Sequence, residues 1–364
     1  MSSQFIDFAF KIAIIRIKKL CNHSQSHHIM TLGMISQAHI SISQSLFNIT
    51  ILWRFFMIVL KALSLIGFLL CIVLMIRKQN ILKHSDAKDP DTGLTFSETW
   101  ARGMEKKNLI ATMIIGLVAN FFDTLGIGSY APSTTAFKLT KSVDDVLIPG
   151  TLNVGDTMPV CIEAFLFFGF VDMDILTLAT MIIASVVGAY TMAGVVAKFN
   201  RKKVRIAMFI GMFILATVML CKVLAIGPFG EVGTEMGLRG IKLIIAIVAQ
   251  FILGALMSIG VGLYAPCMAL CVILGLDTGC AFPAMMGSCA FLMAFGNGPK
   301  FIQEGRYDPV ACWTQGICGT IGVFLAYFVV KSLSLRTLTI VVVCVCYITS
   351  FLFLHDAIKK GEAA

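Results

Sequence analysis

The sequence predicts an all-α integral membrane protein: a polytopic helical bundle with two internal repeats, each starting with a glycine/proline-broken helix, plus one extra N-terminal span. Three observations carry this. Of the 364 residues, 58% are hydrophobic and only 13% charged, against about 45–50% and about 25% in soluble domains, so no water-facing surface can be assembled. The apolar residues fall in separated runs of about 20, the length that crosses about 30 Å of hydrocarbon as helix. A glycine-rich heptapeptide also recurs at a fixed spacing. The excess of 29 Lys and Arg over 20 Asp and Glu then reflects basic loops at an anionic membrane surface, not nucleic-acid binding.

Residues 1–52 read as a poorly ordered extension or as a start set too early, since Met30, Met34 and Met57 follow. They lack the small-residue cleavage site of a signal peptide. The extra span covers 53–76 and ends in Arg77 and Lys78. A polar loop follows over 77–108, with Asp86, Asp89, Pro90, Asp91 and Gly93 ahead of Glu105, Lys106 and Lys107. Apolar segments then run Leu109–Phe137, Asn153–Val171, Ile175–Ala197, Ile206–Ile226, Ile241–Leu274, Cys280–Gly298, Val310–Val330 and Thr337–Leu354. The first and fifth are longer than one crossing requires.

Both long segments are interrupted alike, by Gly126-Ile-Gly128-Ser129-Tyr130-Ala-Pro132 and by Gly260-Val-Gly262-Leu-Tyr264-Ala-Pro266. Every identity lies 134 residues apart, as do Pro149 and Pro283, while Gly169 and Asp172 match Gly305 and Asp308 at 136. The chain is therefore read as a duplication, with one copy over 109–226 and the other over 241–354. Glycine frees the backbone and proline removes a donor, so each motif unwinds its helix. At membrane depth such backbone is tolerated only under protein or in a wet cavity, which makes paired breaks a binding site. The helix resuming at Pro132 or Pro266 offers unpaired N–H groups and a partial positive charge to an anion. Ser133 and Thr134 add hydroxyls in the first copy only.

Acidic residues inside spans need a reason. Asp123 precedes the first break and is positioned either to cap it or to exchange protons. Asp156 and Glu163, seven apart, share a helical face beside Asn153 and Thr157 and are candidates for proton coupling. The second copy has Ala290 and Asn297 in their places. The twelve cysteines lie mostly in apolar runs without CxxC or Cys/His spacing, so they read as packing residues, with no disulfide framework and no metal site. No cofactor is expected. There is no GxxxxGK[ST] loop for ATP and no GxSxG or HExxH signature, so the chain is not read as an enzyme.

The duplicated glycine motifs, the basic connector Lys198–Arg205 and the phrase Ile148-Pro-Gly-Thr-Leu-Asn153 together resemble the TauE/SafE family, also called the sulfite exporter or toluene sulfonate uptake permease family. The likeness covers about 109–354, although the family's usual motif is nearer GIGGG. It implies secondary transport of a small anion, such as sulfite or a sulfonate, across the cytoplasmic membrane. It places substrate contacts at Gly126, Gly128, Ser129, Tyr130, Pro132, Gly260, Gly262, Leu263, Tyr264 and Pro266. The expected partners are that anion and the bilayer, with a homo-oligomer left open. If each long segment crosses once, Lys and Arg divide evenly between the two sides. If each enters and returns, about twice as many fall beside the 77–108 loop and the C-terminus, which favours a cytoplasmic position for both. A reporter fused after Leu354 is expected to be cytoplasmic, and an external location overturns that orientation.

Overall fold

The computed structural model describes residues 28–85, 88, 92–196, 206, 209–210, 213–214, 216–217, 220–221, 224, 233–257, 262–332 and 335–359. The chain divides into two compact units, 1–59 and 60–364. The described part of the first is the N-terminal portion of helix α1 (His28–Lys83). Residues 28–52, part of the predicted N-terminal extension, are helical. Nothing interrupts them, since the first proline of the chain is Pro90, and a proline-free apolar stretch continues its hydrogen bonding.

The second unit continues with α2 (Phe96–Gly103), α3 (Lys106–Thr124), α4 (Tyr130–Thr140), α5 (Ile148–Gly155), α6 (Thr157–Phe167) and α7 (Ile175–Val196). After 233 come α8 (Ile241–Met257), α9 (Tyr264–Ile273), a 3₁₀ turn Thr278–Cys280, α10 (Ala281–Leu292) and a π-helical turn Met293–Asn297. Then follow α11 (Gly298–Glu304), α12 (Pro309–Ser332) and α13 (Leu335–Lys359). No strand occurs among the described residues. Three helical stretches, Thr50–Lys83, Thr278–Glu304 and Pro309–Ser332, are long and apolar enough to cross a membrane. This is an all-helical membrane protein.

Helix α3 shows how the helices are built. Its outward residues Ile110, Met113, Ile114, Val118 and Phe122 recur every three to four positions and are exposed. Its inward residues include Thr112, Gly116, Asn120, Asp123 and Thr124, which are buried. Apolar outside with small and polar inside is the pattern that hydrocarbon selects. The second half of α1 docks through Cys71 and Met75 against Val154, Met158, Ile302 and Cys312.

The most extensively packed pairs are α3 with α12 and α7 with α8. Both depend on glycine. A Cβ at Gly322 in α12 would strike the Leu117 carbonyl, and one at Gly188 in α7 would strike the Phe251 carbonyl. The glycines and their targets are each 134 residues apart. The helix starts correspond too. Asp174 caps α7 by accepting the Thr177 N–H at 2.9 Å, and Asp308 caps α12 by accepting the Ala311 N–H at 2.9 Å. The residue that shares the role of Asp308 is therefore Asp174, not the Asp172 paired with it from sequence. The 136-residue spacing of Gly169 and Gly305 follows the wide turn Met293–Asn297, and a connector to Asp308 shorter than the one to Asp174 restores 134.

The Asn153–Val171 segment is divided at Asp156 rather than continuous. Pro159 cannot donate back to the preceding turn, which loosens the helix there.

Burial works to raise the Asp174 carboxyl, but hydrogen bonds from Arg239 and from the Thr177 N–H and hydroxyl outweigh it and hold the group below its ordinary range. A depressed folded-state value stabilises the protein above the unfolded carboxyl's pKa of about 4 and loses that stabilisation as pH falls through the folded value. Arg239 is 63% exposed, so the cap outweighs the ion pair. Asp174→Ala is expected to cost about 1 kcal/mol in thermal unfolding at neutral pH, with the difference from wild type shrinking in acid.

Candidate functional site

The first break begins as a helix ending. Gly126, at φ 98°, donates its N–H to the Asp123 carbonyl at 2.7 Å, and Ile127 donates to the Phe122 carbonyl at 3.2 Å. This is a Schellman closure with glycine in the left-handed position, and it satisfies carbonyls that hydrocarbon would leave bare. Gly128, at φ 88°, turns the chain again, and α4 resumes with Ser129 as its N-cap. Space at Gly126 is limited as well, since a Cβ there would strike the Met268 methyl.

The reversal brings the Asp123 carboxylate under the start of α4, where Oδ1 accepts the Ser129 N–H at 2.6 Å. Such a short bond gives the first N–H of the helix a buried partner. Sequence reasoning leaves this helix start open to an anion; in the structure the protein's own Asp123 fills it.

Two more carboxylates lie behind it. Asp156, at the joint of α5 and α6, accepts the Ser129 hydroxyl on Oδ2 at 2.9 Å and the Asn120 amide on Oδ1 at 3.3 Å. Glu163 accepts the Thr124 hydroxyl on Oε1 at 2.7 Å and the Tyr264 hydroxyl on Oε2 at 2.6 Å. All three carboxylates are buried. Among the described residues no basic side chain hydrogen-bonds or ion-pairs with any of them. Three uncompensated charges in low dielectric are prohibitive, so protons or a bound cation must offset them.

The Tyr264 bond ties this cluster to the second break. The two breaks face each other reciprocally: a Cβ at Gly128 would lie 3.9 Å from that of Tyr264, and a Cβ at Gly262 would lie 3.9 Å from that of Tyr130. Between them is a cavity of about 10 Å³, room for about one water. Asp123, Gly128, Ser129, Tyr130, Gly262, Leu263 and Tyr264 line it, with Val160, Met257, Cys289 and Met293 as its apolar, sulfur-rich wall. Asp123 Oδ2 and the Tyr130 hydroxyl are buried without a hydrogen-bond partner.

The other predicted residues lie around this centre. Gly260 is outside the described residues. Pro132 and Pro266 occupy the first turns of α4 and α9, where a missing N–H leaves nothing unsatisfied. Ser133 is buried with its hydroxyl unpartnered, and Thr134 enters no hydrogen bond of the cluster. Asn153 donates to the Pro149 carbonyl within α5, and the Thr157 hydroxyl donates across the joint to the Asn153 carbonyl. Asn120 and Thr124 are the polar residues that sequence reasoning missed, although their spacing of four beside Asp123 was visible. Nothing in the sequence singled out Met257, Cys289 or Met293. Of the described cysteines all but Cys221 and Cys344 are buried, and among the described residues no group of His, Cys, Asp or Glu is arranged for a metal ion.

Comparisons of the chain with family models, curated proteins and solved structures give no match.

Tyr264 and Tyr130 stand in corresponding places with different surroundings, which yields a paired test. Tyr264→Phe strips Glu163 of a buried donor and is expected to cost about 1–3 kcal/mol. Tyr130→Phe removes an unpartnered hydroxyl and is expected to be neutral or mildly stabilising. Thermal unfolding of both variants in detergent checks the contrast.

Proposed function

We propose that the protein is a secondary transporter of the TauE/SafE type, not an enzyme, carrying a small anion such as sulfite or a sulfonate across the cytoplasmic membrane with coupled protons. The observation that carries this reading is the reciprocal approach of two glycine-broken helices around buried carboxylates with no basic partner. Irregular backbone at membrane depth, covered by protein, is where transporters place their substrates. An anion enters beside three carboxyl groups only if protons neutralise them, so substrate and proton would travel together. Asp123, Asp156 and Glu163 are the groups that hold those protons.

The packing supports a duplicated, multi-pass bundle. In this reading α3 and α8 are equivalents in the two halves, and each packs on the other half's long helix, α12 or α7. Rocking of such halves about the central site would give alternating access. The cavity of about 10 Å³ is far too small for a sulfonate, as expected of a closed state between the two openings. Energy would come from an ion or substrate gradient, and lipid and the anion are the partners required.

Uptake of labelled sulfite, thiosulfate and a small sulfonate into proteoliposomes tests this directly. Saturable flux that rises with an imposed proton gradient is expected. Gly128→Val and Gly262→Val should both reduce it to background, the first because a β-branched residue resists φ 88°. Flux of carboxylates alone would redirect the substrate to non-sulfur anions, and no flux from well-inserted protein would leave a membrane assembly role.

A further inference from the structure

We propose that the transported oxyanion binds at the amino terminus of α9, against Leu263 and Met257, and that Asp123 is the protein's own occupant of the matching place on α4. This rests on the transport reading above and names the subsite within it.

The two breaks are asymmetric. On α4, a carboxylate oxygen accepts the Ser129 N–H at 2.6 Å, so the structure displays how an oxyanion seats on a broken helix of this shape. The residues 134 positions further on are Leu263 for Ser129 and Met257 for Asp123. Met257 has no carboxylate to offer, and Leu263, the N-cap residue of α9, has no polar side chain. A helix start with its partial positive charge therefore faces a thioether where its counterpart faces a carboxylate.

The cavity supplies the second observation. Met257 and Leu263 line it together with Asp123, Ser129 and Tyr130. Asp123 Oδ2 and the Tyr130 hydroxyl, on side chains 2% and 4% exposed, are both without a partner. Buried polar atoms left unpaired are rare and point to a missing group. An oxyanion at the start of α9 would accept from the Tyr130 hydroxyl, and from Asp123 Oδ2 when that oxygen carries a proton. With Asp123 ionised, the same oxygen repels it. Anion and proton thus bind together at this atom: the carboxylic acid donates to the bound oxyanion, and the proton leaves to water when the anion does. The titratable groups facing Asp123 are Asp156 and Glu163 from the joint and α6, Tyr130 from α4, Tyr264 from α9 and Cys289 from α10. None is basic, so nothing else in the cluster substitutes for the proton.

The test is equilibrium binding of methanesulfonate to the purified full-length protein at mildly acidic and mildly alkaline pH, with sulfite and acetate as parallel probes. Wild type should bind more tightly in acid. Met257→Asp places a carboxylate on α9 like that on α4 and should weaken binding on the order of 100-fold or more. Met257→Asn, polar but uncharged, should weaken binding far less than Met257→Asp, which separates charge from misfolding; equal loss in both folded variants would overturn the subsite. Asp123→Asn keeps a donor without the proton, so binding should persist while its pH dependence disappears. Tyr130→Phe should weaken binding about tenfold without lowering thermal stability. Undiminished binding by folded Met257→Asp, or by Tyr130→Phe, overturns the subsite and leaves the transport reading standing. Absence of binding of all three probes by wild type removes both.

Discussion

A helix broken inside a packed bundle leaves buried backbone groups that need partners, and the centre of this protein is arranged around satisfying them. Gly126 closes α3 through two backbone bonds, and the turn it allows carries Asp123 under the first free N–H of α4. That solution has a consequence. A carboxylate now sits in the middle of the bundle, and Ser129, which it holds, passes its own hydroxyl to a second carboxylate, Asp156. Glu163 extends the cluster to Tyr264 across the interface. What began as a backbone requirement ends as a concentration of acid with no basic partner among the described residues, and neutralising that charge becomes a condition of the site's existence.

The lining of the site is asymmetric. Acids and hydroxyls from α3, α4 and α6 surround the first break, while Met257, Cys289 and Met293 form an apolar wall of the cavity. The close approaches that bring the breaks together are nevertheless the same. Gly322 lets α12 touch α3, and Gly188 lets α7 touch α8, each against a helix carbonyl. Small residues at such crossings let backbones meet where lipid offers no hydrophobic drive for association. A similar scaffold with a dissimilar lining is suited to holding one ligand asymmetrically, with proton-bearing groups on one side and a soft, uncharged wall on the other.

Much of this was legible in the sequence, for identifiable reasons. Composition and run length revealed the membrane class because hydrocarbon tolerates few charges. The glycines marked the first break because left-handed backbone, as at Gly126 and Gly128, nearly demands that residue. The three acids were conspicuous because charge inside a span needs compensation. Other features were hidden. The position of Asp123 suggested a cap for the break, but that its partner is the Ser129 N–H of α4 depends on how the chain turns back. The bonds from Thr124 and Tyr264 to Glu163 join positions 39 and 101 residues apart. The division at Asp156 was masked by an unbroken apolar run, and the equivalence of Asp174 with Asp308 was obscured by the π-helical turn that shifts the register.

The account stands on the two breaks facing one another across a single site, and a disulfide measures that directly. Cβ atoms at 130 and 262 would be 3.9 Å apart, inside the range of about 3.5–4.5 Å that a disulfide spans. Tyr130→Cys combined with Gly262→Cys, oxidised in membranes and digested, is expected to yield a covalently joined pair of peptides seen by mass spectrometry. Both thiols remaining free after oxidation would contradict the arrangement on which the site depends.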